Sequence, residues 1–452
     1  MRSLTTCLHA MGLSVGLGAR EVFVPRGLGS FGFHEHRPKL RCCRASLEEI
    51  RPPPAFNFSA ADGVSVAPRK YPPLLSVAPM MDWTDNYYRT LARLMTRCSW
   101  LYTEMVVAET IVHQADNLGR FLDYPASQHP IALQIGGSNL VNLAKAAQLA
   151  STYGYDEINL NCGCPSDKVA GHGCFGASLM LKPELVGQAM AVIADNCDVP
   201  VTVKCRIGVD NYDSYEELCT FIETVSSMSP TEVFVIHARK AILKGLSPAE
   251  NRTVPPLKYE YVYALIRDFP HLKFVLNGGI TSILEAKYAV DRGAYGVMIG
   301  RAAYNCPWTT LGSADSILYG EPGPGLTRRQ ILEKYALYAD STIGKYGPHR
   351  PNIRTLVKPL VHLFHAEPGA SRWRRAVDET LQVRKTVQGV LEGTLQVLPD
   401  YVLDAPPPIP ESPGDSLVCR LSDLPKTPSF LERSSSSVSL SGSQLLQEIG
   451  CR

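Results

Sequence analysis

The sequence predicts an α/β fold, a closed (β/α)₈ barrel of the TIM type followed by a small C-terminal helical domain, on three observations. Between Leu74 and Tyr304, short runs rich in β-branched residues alternate with longer amphipathic stretches, the order of βα units around a parallel sheet. There are eight such runs, packed into about 230 residues where a closed barrel typically takes ~250. Several of them end in a single polar side chain, and the carboxyl ends of barrel strands are where such folds gather their chemistry.

Taken in order, the first strand is Leu74 to Pro79. It ends in Ala78-Pro79-Met80, without the Gly-x-Gly-x-x-Gly turn that an open dinucleotide-binding sheet carries there. Leu101 to Met105 is the second strand and Ile131 to Ile135 the third, followed by a helix over Leu140 to Tyr153. Glu157 to Asn161 leads to a helix over Pro183 to Asn196, and Val201 to Cys205 to one over Ser214 to Met228. Val233 to His237 is followed by Tyr259 to Phe269, and Phe274 to Asn277 by Ser282 to Arg292; Gly296 to Ile299 closes the series. The barrel domain is expected over 66–320.

Gly320 to Gly325 reads as a linker, and 326–400 as a helical domain punctuated by Gly347-Pro348 and Pro368-Gly369. Thr327 to Gln396 carries twelve Lys/Arg against six Asp/Glu, a local excess hidden in the overall net charge of +2. That sign suits phosphate neutralisation, and it equally suits a solvated basic surface. The segment 401–452 is rich in Pro and Ser and reads as a disordered tail. The first forty-six residues hold six Arg and one Lys against only Glu21 and Glu35. With Arg41-Cys42-Cys43-Arg44-Ala45-Ser46, this makes 1–65 an expected plastid transit peptide, with a mitochondrial signal or a plain extension of a cytoplasmic protein as alternatives.

Composition narrows the class further. A hydrophobic content of 45% with 19% charged residues is that of an ordinary globular chain, and no apolar run approaches the ~20 residues of a membrane span. Thirteen cysteines, odd in number and scattered, argue against a disulfide scaffold and for a reducing compartment. Cys162, Cys164 and Cys174 lack the paired spacing and fourth ligand of a zinc or iron-sulfur site, so no metal is expected and Cys162 is assigned to barrel packing.

The strand ends carry the candidate site. Asn159-Leu160-Asn161-Cys162-Gly163-Cys164-Pro165-Ser166 runs a strand into a turn that presents the Cys164 thiol. Gln134, Lys204 and His237 each place one polar group at the end of an apolar strand, where an unpaired polar side chain is costly and a polar ligand explains it better than packing. Asn277-Gly278-Gly279 after the seventh strand and Gly300-Arg301 after the eighth stand where barrels bind phosphate, with glycines letting backbone N–H groups reach the oxygens. Two such loops imply FMN, whose single terminal phosphate fits them.

These residues, with Ser76-Val77-Ala78-Pro79-Met80-Met81-Asp82-Trp83-Thr84-Asp85 and Leu101-Tyr102-Thr103-Glu104-Met105, closely resemble the tRNA-dihydrouridine synthases, DusA-like branch, from about Leu74 to about Gln396. The resemblance implies an FMN-bound barrel that reduces the C5=C6 bond of a D-loop uridine, at positions 20 and 20a, with NADPH as reductant. It implies that Cys164 gives a proton to C5 while hydride reaches C6. It further implies that Gln134, Lys204 and His237 contact the flavin, Lys204 near N1 and C2=O, and that Pro79 and Met80 lie against it. Asn161 would hold the uracil edge through its amide. The long polar loop from His237 to Arg252 suggests tRNA contacts by Arg239, Lys240, Asn251 and Arg252, and Arg372-Trp373-Arg374-Arg375 joins three cations to an aromatic that is either a stacking platform or core. The nearest rival is an FMN-dependent dehydrogenase of free pyrimidines, which the basic helical domain and the long loop disfavour. A flavin-less RNA-binding barrel is a further alternative.

Overall fold

The computed structural model describes residues 71–166, 169, 175–347, 350–408 and 423–432. The expected transit segment 1–65, most of the expected tail, and Cys174 lie outside the described residues.

Eight parallel strands form the barrel: β1 Leu75–Val77, β2 Trp100–Tyr102, β3 Ile131–Gly136, β4 Glu157–Cys162, β5 Val201–Arg206, β6 Val233–His237, β7 Lys273–Asn277 and β8 Gly296–Ile299. Closure is achieved because β1 pairs with both β2 and β8, and β2 in turn pairs with β3. The first strand stops short of Pro79, which has no N–H to give the ladder. The second ends at Tyr102 rather than Met105, since the chain leaves β2 with Thr103 Oγ1 accepting the Gln134 N–H at 3.0 Å. Val106–Val107 then pairs briefly further along β3.

Helices follow the strands: α1 Asn86–Arg93, α2 Ala108–His113, α3 Leu140–Ser151, α4 Pro183–Ala194, α5 Tyr215–Met228, α6 Tyr259–Asp268, α7 Ile283–Asp291 and the short α8 Arg301–Asn305. Their starts are set by side-chain caps. Ser214 with Glu217 and Ser282 with Glu285 close reciprocal capping boxes at α5 and α7, and Asp85 and Asn139 accept from the first turns of α1 and α3.

Strand residues alternate between a helix-facing and a barrel-facing environment, as a period of two requires. One face of each strand meets the helices in the large core. Inside the barrel, Trp100, Tyr102, Ala132, Val235, Val275 and Met298 of β2, β3, β6, β7 and β8 form a separate cluster with Ala78, while β4 and β5 turn the polar Glu157, Asn159, Asn161, Thr202 and Lys204 inward. Cys162 is fully buried on the helix-facing side and part of the large core, as expected from sequence.

Beyond the barrel come α9 Arg328–Thr342, α10 Ile353–Val357, α11 Ala370–Thr380, α12 Val387–Thr394 and α13 Asp400–Asp404. α9 packs on α12 and on α1 of the barrel. Arg328, 2% exposed, lies over the rings of Trp308 and Phe364 and is paired with Glu367 at 2.6 Å. Trp373 is fully buried edge-on to Phe364, so it is core rather than a platform for bases.

The expected disordered tail needs correction where it is described. Val402 and Leu403 are buried, with Arg329 gripping Asp400 and Asp404 at 2.7 and 2.8 Å. Residues 423–432 return to the end of α6, where Thr427 donates to Asp268 at 2.8 Å and Arg267 to the Pro425 carbonyl at 2.8 Å. Leu424, Phe430 and Leu431 supply the apolar contacts that overall Pro/Ser content conceals.

Candidate active site

The turn that carries Cys164 is held from two sides. Asn161 Oδ1 accepts the backbone N–H groups of Gly163 and Cys164 at 3.1 and 3.0 Å, and the Cys164 carbonyl accepts from Ala177 N at 2.9 Å. Gly176, at φ +70°, passes so close that a Cβ there would stand 2.6 Å from the Cys164 oxygen. The Cys164 thiol is free and half-buried.

This bonding revises the expected role of two amides. Asn161 spends its oxygen on the turn and donates from Nδ2 to Gln134 Oε1 at 2.8 Å, while Gln134, 1% exposed, donates to Asn159 Oδ1 at 2.7 Å. Both are placed to orient the turn, leaving one hydrogen on each amide for a ligand.

Lys204 stands beside Asn161 in the ladder, and its ammonium has no acceptor among the described residues. Burial, then the neighbouring Arg206 charge, pushes its pKa down to about 8. His237, at the end of β6, has a buried Nδ1 with no partner. Burial, followed by the charges of Arg206, Lys204, Arg239 and Arg252, holds it well below the usual imidazole range, so it is neutral.

Arg206 is absent from the sequence-derived candidates because the fifth strand is expected there to end at Cys205. The strand runs one residue further, which puts Arg206 on the same inner face as Thr202 and Lys204. Its guanidinium donates to the Gly163 carbonyl at 2.8 Å and to the carbonyls of Lys240 and Asn251 at 3.0 Å each. One buried side chain thus joins the cysteine turn to the long loop after β6.

That loop corrects one expected tRNA contact, Asn251, and gives Lys240 partners of its own. Asn251 is fully buried and its amide closes the loop on itself, accepting from Ile242 N at 2.7 Å and donating to the Ile242 carbonyl at 2.9 Å. Lys240 is paired with Asp213 at 3.2 Å and donates to the Asp210 carbonyl at 2.8 Å. Arg239 donates to the Pro255 carbonyl, and its buried Nε has no partner. Arg252 is exposed.

The two glycine loops lie beside His237. Gly278 and Gly279 adopt φ of +108° and +74°. A Cβ on Gly278 would touch the His237 ring at 3.3 Å, and one on Gly279 would stand 2.6 Å from Leu257 and 2.8 Å from the Tyr259 hydroxyl. Tyr259 donates to the Gly278 carbonyl at 2.6 Å and Asn277 to that of Met298 at 2.7 Å, so Asn277 shapes the loop through its side chain. Gly300 faces Met80, whose Sδ would lie 3.4 Å from a Cβ there, and Arg301 donates to the Arg252 carbonyl at 3.2 Å. Pro79 precedes Met80 at the end of β1, and Met80 N donates to Thr84 Oγ1 at 2.9 Å.

No ion pair among the described residues engages Lys204, Arg206, Arg239, Arg252 or Arg301. Uncompensated cations, orphaned buried nitrogens and backbone left bare by glycine together describe a site for a polar anion, and FMN fits these residues.

A family model described as Dihydrouridine synthase (Dus) matches residues 76–397, a span that includes every barrel strand end described above. The chain belongs to the dihydrouridine synthase family. A tRNA-dihydrouridine(20/20a) synthase of Vibrio parahaemolyticus is 47% identical over 72% of this chain and 97% of its own. One of Escherichia coli K12 is 45% identical over 72% of this chain and 91% of its own. A solved structure of an old yellow enzyme homologue from Zymomonas mobilis aligns at a TM-score of 0.40 and 13% identity, covering 55% of this chain and 89% of that one.

In this dihydrouridine synthase family member a further candidate, Glu104, sits just beyond β2 with a buried Oε1 that has no partner. Burial, then the nearby Asp85, pushes its carboxyl up to about 7. Its sequence signal is a lone acid two residues beyond an apolar strand. In the helical domain Arg372, Arg374 and Arg375 are exposed on α11, around a helix whose Trp373 and Val377 are buried.

Proposed function

We propose that this enzyme is a tRNA-dihydrouridine synthase that reduces the C5=C6 bond of D-loop uridines at positions 20 and 20a, with FMN as cofactor and NADPH as reductant. The observation that carries the reading is a free thiol on a clamped turn at the mouth of a barrel whose strand ends hold unpaired cations. Relatives of 45–47% identity that bear the name tRNA-dihydrouridine(20/20a) synthase support it.

FMN, when bound and reduced, would supply the hydride for C6 of the uracil. The chain's residues do the rest. Cys164 gives its thiol proton to C5, so that hydride and proton together add H₂ across the bond, and the thiolate is reprotonated from water; general-acid help of this kind is worth on the order of 10² to 10⁴ in rate. Lys204 offers positive charge at the floor of the mouth, and neutral His237 offers Nδ1 as a hydrogen-bonding group. The backbone of Gly278-Gly279 and Gly300-Arg301, with Arg239, would hold the phosphate of FMN. A uridine within folded tRNA must leave its stack to reach such a mouth, and the cations of α11, with Arg252, supply phosphate contacts that hold the tRNA meanwhile.

The deciding experiment reduces the purified protein anaerobically with NADPH, then adds tRNA lacking dihydrouridine, with Cys164→Ala alongside. Reoxidation with dihydrouridine at 20 and 20a in the wild type, and a fall of at least about 10²-fold in Cys164→Ala with flavin reduction intact, is the expected result. Reoxidation by free pyrimidine but not by tRNA would replace the reading with a dehydrogenase.

The basic, acid-poor first forty-six residues support import into an organelle, for which we infer the plastid. A fluorescent fusion of residues 1–60 is expected to enter it; mitochondrial or cytosolic fluorescence would overturn the assignment.

A further inference from the structure

The barrel interior contains an unbroken line of hydrogen bonds beneath the cysteine turn. At its base Glu157, 5% exposed, accepts from the Tyr102 and Thr202 hydroxyls, each at 2.6 Å. Thr202 Oγ1 accepts from Asn159 Nδ2 at 2.8 Å, and Asn159 Oδ1 accepts from Gln134 Nε2 at 2.7 Å. Gln134 Oε1 accepts from Asn161 Nδ2 at 2.8 Å, and Asn161 Oδ1 receives the N–H groups of Gly163 and Cys164. Neighbouring strands β3, β4 and β5 supply the links, Gln134 standing opposite Asn159 and Asn159 opposite Thr202 in the ladders.

Every bond in this line points the same way, with the donor nearer Cys164 and the acceptor nearer Glu157. Both ends demand that direction. Two backbone N–H groups at the top require an oxygen from Asn161, and an acceptor at the base commits the single Thr202 hydrogen downward, so its oxygen must receive from Asn159. Reversing any one amide sets oxygen against oxygen or N–H against N–H in a buried place, where an unmade hydrogen bond is costly.

We propose that Glu157, Thr202 and Asn159 are positioning residues of the reaction. They act through Gln134 and Asn161 to hold the Cys164 turn in its reactive geometry, Glu157 by ending the line in an acceptor. The inference rests on the proton-donor role of Cys164, but its first readout requires neither turnover nor flavin.

That readout is the rate of Cys164 alkylation by iodoacetamide, followed by peptide mass spectrometry, beside kcat and KM for tRNA. Thr202→Val, which removes the hydroxyl at constant shape, and Glu157→Met, which removes the acceptor, are each expected to free the turn. Alkylation of Cys164 rises roughly three- to tenfold and kcat falls by a similar factor, about what one lost hydrogen bond supplies. KM for tRNA holds, and fully buried Cys162 and Cys205 stay protected. Thr202→Ser and Glu157→Gln, which restore hydroxyl and acceptor, recover most of the loss, and the double variant is no worse than the poorer single one, because both cut one line.

Alkylation and kcat within about twofold of wild type in Thr202→Val, equal losses in the Ser and Val variants, or multiplying losses in the double variant would each overturn the proposal. If Glu157→Met does not fold, the Thr202 pair decides alone. A Cys164→Ala enzyme that still forms dihydrouridine would instead remove the proton-donor role, leaving the alkylation result to speak for the line itself.

Discussion

At the scale of single residues, charge and hydrogen-bond accounting separate groups awaiting a ligand from groups already engaged. Lys204 is the clearest case of the first kind. Its folded pKa of about 8 against the ordinary 10.5 means that, between those values, the unfolded chain binds more protons than the flavin-free fold, whose stability therefore rises as pH climbs through that window. An anion beside Lys204 favours its charged form and moves the pKa back up. FMN binding at a pH of about 8.5 is thus expected to take up protons, seen by calorimetry in buffers of different ionisation heat, and Lys204→Met should abolish that uptake while weakening binding; uptake unchanged in the variant would remove Lys204 from the anion's side. His237 is readable from sequence because alternation leaves it the one polar residue on an otherwise apolar inner face, and Lys204 because a cation stands near the end of a strand flanked by Val203 and Cys205. Asn251 and Lys240 escape such a reading for the opposite reason: whether a loop's polar groups are already used depends on how the loop folds back, here through Ile242 and Asp213, and sequence spacing carries no record of that.

At the scale of elements, the strand count and order follow from periodicity, whereas the strand ends shift by a residue or more where side chains compete with the ladder. The extra residue on β5 brings Arg206 inward, and with it the link between two loops that no local pattern announces. The glycine loop after β7 tests how far geometry at this scale matters. Gly279→Ala forces a side chain into φ +74° and into contact with Leu257 and Tyr259. It is expected to cost about 1–3 kcal/mol of stability, measured by denaturant unfolding, and to reduce the flavin that co-purifies. Unaltered flavin content would show that this turn does not carry the phosphate.

For the molecule as a whole, the division into barrel and basic helical domain is visible in the sequence, while the return of 423–432 to α6 is hidden by a composition that is disorder-prone on average and apolar at three positions. The charge imbalance of the helical domain has a direct consequence for salt. Replacing Arg372 and Arg375 by alanine should flatten the dependence of log K for tRNA on log salt by about 0.7 to 0.9 for each phosphate that is no longer neutralised, with flavin reduction by NADPH unaffected; an unchanged slope would make this surface merely solvated. The barrel below the strand ends is plugged by Trp100, Tyr102, Ala132, Val235, Val275 and Met298, so it is a cup and not a tube. A cup has one rim. The electron donor and the uridine must both come and go by that rim, so an excess of either visitor is expected to obstruct the other.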